Sequence, residues 1–282
     1  MSFYVCLSHD VDRVRKTFQY ISHPAKNLLK GNLRSLSYQI HSIFLKNPYW
    51  QFEDIIEIES NYKVKSTFFF LNESYPFKPF SIKTWPLSVG YYNIESKKIC
   101  EIIKKLDQNG WEIGLHGSYL SYKNKLLLKK EKETLEKIIG HQVIGIRQHF
   151  LNMDDNTWKI QKEIGFAYDS TFGNRNNAGF KDEKFNLFTP EGIPDFYIVP
   201  MSVMDMSVMN KPDPWSEILR IVDLAEKNDA CLVANWHHRV FNENEFPGYR
   251  KYYIRLIEEC KNRNAVFTTI TEYINKKKKN VL

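Results

Sequence analysis

Seven short runs rich in β-branched and aromatic residues recur along this chain, nearly all followed by a longer segment whose apolar residues return at helical spacing. That alternation is the pattern of β/α units around a mainly parallel sheet. The strand runs are FYVCLS (3–8), VKSTFFFL (64–71), WEIGLHG (111–117), VIGIRQH (143–149), FYIVPM (196–201), ACLVANWHH (230–238) and AVFTTI (265–270). Helical spacing covers 51–61, 95–109, 124–139, 155–164, 215–228 and 248–262. Seven strands and six helices predict an α/β barrel, and barrels of 282 residues are ordinary single domains.

Residues 15–49 are too long for an ordinary βα loop and carry Leu, Ile and Phe at helical spacing, which predicts a helical insertion laid over a barrel rim. The barrel domain is expected over 1–275, with a basic tail at 276–282. Cys6, Cys100, Cys231 and Cys260 are far apart and lie in apolar stretches, so they read as buried free thiols in a reducing compartment. No signal peptide is recognisable, and no stretch approaches the roughly 20 apolar residues of a membrane span, so the cytoplasm is the expected location. The net charge is +7, but the basic residues are spread along the chain and only Lys276–Lys279 form a run. That run reads as a solvated tail and nucleic acid is not an expected partner.

In parallel β/α folds the chemistry sits at the carboxyl ends of the strands, so polar residues that close an apolar run carry the information. Four such ends are HDVD (9–12), LHGSY (115–119), RQH (147–149) and NWHHR (235–239), with YDSTFG (168–173) after a helix. Singly, each has a bland reading: the aspartates as turn caps, His116 as a bonded core histidine, Arg147 as an ion-pair partner, His237 or His238 as a rim residue. Their recurrence at successive strand ends favours a shared site. Carboxylate with imidazole suits a divalent metal such as zinc, and a second carboxylate with a second imidazole supplies base and acid for metal-assisted hydrolysis.

These ordered strand ends resemble the polysaccharide deacetylase family, the proteins with homology to the nodulation-factor chitooligosaccharide deacetylase, also called carbohydrate esterase family 4. The resemblance runs from Asp10 to His237 and implies a distorted (β/α) barrel of about seven strands. Carried over residue by residue, it implies Asp10 as catalytic base, Asp12 as a metal ligand and His116 as a second ligand. The family's second motif ends in another histidine, whereas Leu120 and Ser121 stand here. His149 is the replacement named, because it lies two residues after Arg147 and a strand's period of two puts both on one face. Ser118 and Asp205 are weaker candidates.

The same resemblance implies that Arg147 steadies Asp10, that the guanidinium fork meets the carboxylate bidentately, and that His237, oriented by Asp169, is the general acid, with His238 the fallback. Together with GF (179–180), the motifs look like a divergent subgroup linked to bacterial surface-polysaccharide biosynthesis, such as O-antigen assembly. The implied activity is hydrolysis of an N-acyl group, an acetyl, from a sugar or sugar-linked intermediate with a zinc-like divalent metal. Two alternatives stand beside it: a hydrolase of another C–N bond, a formamide or cyclic amide, and a catalytically inactive glycan-binding or scaffold subunit. Trp50, Trp85 and Trp236 are candidates for stacking on sugar rings, against the commoner core role of aromatics.

Overall fold

In the computed structural model, which describes residues 3–29, 31, 33–44 and 47–279, the first apolar run is the central strand β1 (Tyr4–Val11). It pairs in parallel with β2 (Ser66–Leu71) and β8 (Cys231–Asn235). The other strands are β3 (Glu112–Gly117), β4 (Gly145–Gln148), β5 (Tyr168–Asp169), β6 (Tyr197–Ile198), β7 (Val203–Met204) and β9 (Val266–Phe267). Their order is β6-β5-β4-β3-β2-β1-β8-β7, with β9 on β1 beside β2, and every pairing between these strands is parallel.

The two edge strands β6 and β7 belong to one continuous stretch, 197–204. Its amides donate to Asp169 O at 2.9 Å, Phe172 O at 2.8 Å and Val233 O at 3.0 Å. This stretch bridges the edges and curls the sheet into a distorted barrel. All seven expected strands are present. The 196–201 and 265–270 runs keep only two ladder residues each, and β5 and β7, also two residues long, had no periodicity to betray them.

The six expected helices appear as α3 (Phe52–Asn61), α5 (Lys97–Gln108), α6 (Lys125–Ile139), α7 (Thr157–Ile164), α9 (Pro214–Lys227) and α10 (Tyr249–Asn262). The insertion folds as α1 (Gln19–Leu29) and α2 (Leu33–His41), while α4 (Trp85–Ser88), α8 (Asp205–Met209) and α11 (Ile270–Lys279) are additions. Lys276–Lys279 form the last turn of α11 and so are not a loose tail, with Lys277 over the Tyr4 ring and Lys278 over the Tyr197 ring; positions 280–282 lie outside the described residues.

Strand periodicity divides the side chains between two cores. On β1, Val5, Leu7 and Val11 point outward to the helices, while Cys6 joins Phe69, Tyr168, Val199, Met201, Val233 and Tyr273 inside the barrel. The inward row of β1 climbs from Cys6 through Ser8 to Asp10. His9 points outward and is not part of the site: it bridges Trp236 O and Glu59, whose carboxylate also accepts from Tyr253, Ser66 and Trp111. Cys6, Cys231 and Cys260 are buried free thiols, whereas Cys100 is only half-buried.

The insertion is fixed by a buried cation. Lys16 Nζ donates to Gln39, Ser42 and Glu245, tying α2 and the turn after it to the loop between β8 and α10.

Candidate metal centre

Sheet register brings the polar strand ends to one level. Val11 of β1 pairs with Phe70, Leu71 of β2 with His116, and His116 with Arg147, while Ser8 pairs with Asn235. Inward-facing residues just beyond those pairs must therefore meet above the barrel core. Asp12, His116 and His149 do meet: one ligand atom from each lies within 4.8 Å of the others, and all three are buried.

Each imidazole is already oriented. His116 Nδ1 lies 2.9 Å from the carbonyl oxygen of Arg147, which can only accept, so Nδ1 carries a proton and Nε2 is the nitrogen left to face the site. That Nε2 is 3.2 Å from Asp12 Oδ1. His149 Nδ1 faces Glu73 Oε2 at 3.4 Å, and its Nε2 is 3.9 Å from the same Asp12 oxygen. Histidine backed by carbonyl or carboxylate is the usual outer arrangement of a metal-binding imidazole.

Asp12 divides its oxygens between two tasks. Oδ2 accepts from Arg239 Nη1 at 2.7 Å, while Oδ1 is buried and has no hydrogen-bond partner among the described residues. A buried carboxylate oxygen left bare is costly, and a cation between it and the Nε2 atoms of His116 and His149 would remove that cost. The donor set, two nitrogens and one oxygen, fits zinc or a similar divalent ion and leaves coordination positions open.

The charges point the same way. Burial opposes ionisation of Asp12, yet His237, Arg239, His116 and His149 together hold it well below the usual carboxylate range. Burial also works against a charge on His116, but Asp10 and Asp12 outweigh it and raise its pKa; the proton then stands where a bound cation would displace it. Burial wins at His149 and lowers its pKa, so this ring is neutral and ready to donate.

Asp10 stands beside the three. Its Oδ1 accepts from Arg147 Nη1 and its Oδ2 from Asn235 Nδ2, at 2.9 and 2.7 Å, with Oδ2 4.0 Å from His116 Nε2. Burial would raise its pKa, but Arg147, then His116 and His237, bring it below the ordinary value. Arg147 does not grip Asp10 with two nitrogens as expected. Nη1 is shared with Ser8, and Nε and Nη2 are taken by the carbonyl and hydroxyl of Ser170.

His237 also reaches Asp12. Its Nδ1 donates to Asp205 and its Nε2 is 3.5 Å from Asp12 Oδ2. Burial lowers its pKa, but Asp205 chiefly raises it, and the balance is upward. The carboxylate on His237 is thus Asp205, at the start of α8, and not Asp169. Asp169 accepts instead from Thr171 and Gln161, closing the turn after β5 and holding α7. Its motif reaches the site through the next residue, Ser170.

His238 points outward, stacks on Phe52 and has neither ring nitrogen bonded among the described residues; burial pushes its pKa down to about 3. Asp205, bonded to His237, is not in the ligand cluster, and Ser118 gives its amide to Glu131. Trp236 is buried, Trp50 half-buried and Trp85 exposed on the rim.

Glu73, Asn235 and Arg239 were not picked out from the sequence. Glu73 closes the run FFFLNE as His116 closes its own, so a strand-end signal existed; Asn235 and Arg239 flank His237 in NWHHR. No side chain among Asp10, Asp12, His116, His149 and His237 is more than 11 % exposed, so their fields act with little screening by water.

No protein-family model matches the chain, and no curated protein sequence does. The likeness to known proteins lies in the backbone. A protein assigned as a polysaccharide deacetylase from Mycobacterium smegmatis aligns over 100 % of this chain and 92 % of its own, with TM-score 0.62 and 17 % identity. An allantoinase aligns over 96 % and 88 %, with TM-score 0.62 and 13 % identity. A carbohydrate esterase family 4 pseudoenzyme from Bacillus anthracis aligns over 96 % and 65 %, with TM-score 0.52 and 13 % identity. At these identities the comparison establishes the fold, which is the distorted barrel expected from the sequence.

Proposed function

We propose that this chain is a metal-dependent hydrolase that removes an N-acyl group, an acetyl, from a sugar in bacterial surface-glycan biosynthesis. The observation that carries the reading is the convergence of Asp12, His116 and His149 between a base, Asp10, and a carboxylate-backed imidazole, His237. The fold shared with a polysaccharide deacetylase supports it, and the strand-end motifs support the surface-glycan assignment. The proposed setting is the cytoplasm, as expected from the sequence.

Asp12 Oδ1, His116 Nε2 and His149 Nε2 would hold the ion. When bound, a divalent ion polarises the acyl carbonyl and acidifies a water. Asp10, kept ionised by Arg147 and oriented by Asn235, takes the proton from the attacking water. His237, held in one tautomer by Asp205, gives a proton to the departing amine through Nε2.

The test is amine release from N-acetylated and N-formylated amino sugars by the zinc-loaded chain and by Asp10→Asn. The reading predicts turnover by the parent and loss of about 10²-fold or more in the variant at equal metal content. A variant as active as the parent would remove Asp10 as base. The allantoinase likeness favours one second reading, hydrolysis of a cyclic amide, and turnover of such a ring with none of the sugars would select it.

A further inference from the structure

Seven of the chain's 40 Lys and Arg fall between positions 13 and 52, and none of its 33 Asp and Glu does. The formal charge of +7 therefore equals the charge of this segment, and the rest of the chain is balanced. The even spread of basic residues hides this asymmetry, because the difference lies in where acids are missing.

The segment includes the α1–α2 hairpin, and its amphipathicity is inverted. Gln39, Ser42 and Lys16 are buried. Apolar residues face out: Ile21, Leu28 and Leu29 lie on one stripe of α1 at 78, 63 and 89 % exposure, and Ile40, Ile43 and Phe44 continue it on and after α2, Phe44 at 82 %. A second rim segment, between β2 and α5, exposes Phe77, Phe80 and Trp85 around Lys78 and Lys83. Arg13 joins the two, donating to Val89 O and Pro86 O while lying over the rings of Phe18 and Tyr91. Arg13 follows Asp12 directly, so both segments belong to the end of the barrel that carries the metal centre.

We infer that this rim is a docking face for an anionic phospholipid bilayer. Exposed aliphatic and aromatic side chains on a segment whose sequence carries seven cations and no acid match the boundary between acidic headgroups and acyl chains. Glu245, which reaches the segment from the loop before α10, is buried against Lys16. A second copy of the chain would set cation against cation, and an acidic polymer would leave the apolar stripe in water. Bilayer binding does not depend on the hydrolase reading and is measured without turnover.

The test is co-sedimentation of the full chain with phosphatidylcholine vesicles that contain or lack phosphatidylglycerol. Binding is expected only with phosphatidylglycerol, weaker in raised salt, and reduced about tenfold or more by Leu29→Ser with Phe44→Ser at unchanged melting temperature. Replacing Lys276–Lys279 by Gln is expected to leave it intact. Absence of binding, full binding by the double variant, or loss through the C-terminal replacement would each overturn the inference. So would a wild-type dimer that the double variant makes monomeric, since the face would then join two copies.

Discussion

His237 Nδ1 lies 2.9 Å from Asp205 Oδ2, and this contact turns Nε2 toward Asp12, 3.5 Å away. Two residues 32 positions apart thus form an imidazole–carboxylate pair aimed into the ligand cluster. Asp205→Asn keeps the shape but removes the charge that favours the protonated ring. Turnover of the acyl sugar is expected to fall about 10²-fold or more, with metal content unchanged by elemental analysis. Full activity in this variant would detach Asp205 from the proposed acid.

Arg147 is fully buried and carries the only direct ion pair to Asp10 from a permanently charged side chain among the described residues. Arg147→Met strands a buried carboxylate and is expected to cost about 3–5 kcal/mol in denaturant unfolding. Adding Asp10→Asn to that variant should recover part of the loss. Additive costs for the two changes would show that they are not coupled in stability.

Glu73 holds His149 through Nδ1; the same Oε2 accepts from the Tyr119 amide, and Oε1 from the amides of Ser74 and Tyr75. Glu73→Gln is expected to weaken divalent-metal affinity by about 10- to 100-fold, measured by competition with a chromophoric chelator. Unchanged affinity would mean that His149 needs no such support or does not bind the ion.

The barrel was legible because apolar runs and helical spacings are local signals, and the helices fell within two residues of where the spacing put them. The site was legible where a polar residue closes a long strand, as at Asp10, Asp12, His116, Arg147 and His237. Parity along one strand separates neighbours: Cys231, Val233, Asn235 and His237 share the inward row of β8 and its continuation, which sends His238 outward onto Phe52. Asp205 was placed among weak ligand candidates because the strand before it has two residues and no run to close. Asp169 was misassigned as the partner of His237 for a related reason. A carboxylate after a two-residue strand bonds its own turn as readily as a distant imidazole, and only the three-dimensional closure of the sheet decides. The outward direction of the insertion's apolar residues was equally hidden, since helical spacing reports a stripe but not what it faces.

Glu131 gives a pH dependence of stability away from the ligands. Burial raises its carboxyl from 4.5 to about 7, against the hydrogen bonds it receives from Ser118, and Oε1 has no partner among the described residues. The folded state therefore holds this proton more tightly than the unfolded chain. Its contribution is complete below pH about 4.5 and is lost as pH rises through about 7, on the order of 3 kcal/mol in all. Glu131→Gln should flatten that decline in urea unfolding between these pH values. An unaltered slope would place the titration elsewhere.

The central claim is that strand ends from β1, β3 and β4 converge on one divalent cation. Anomalous diffraction at the zinc edge, from crystals grown with zinc, tests it most directly. The account predicts a single site with Asp12 Oδ1, His116 Nε2 and His149 Nε2 each about 2.0–2.2 Å from the ion. A zinc peak bound by other residues, or none between these three at saturating zinc, would contradict it.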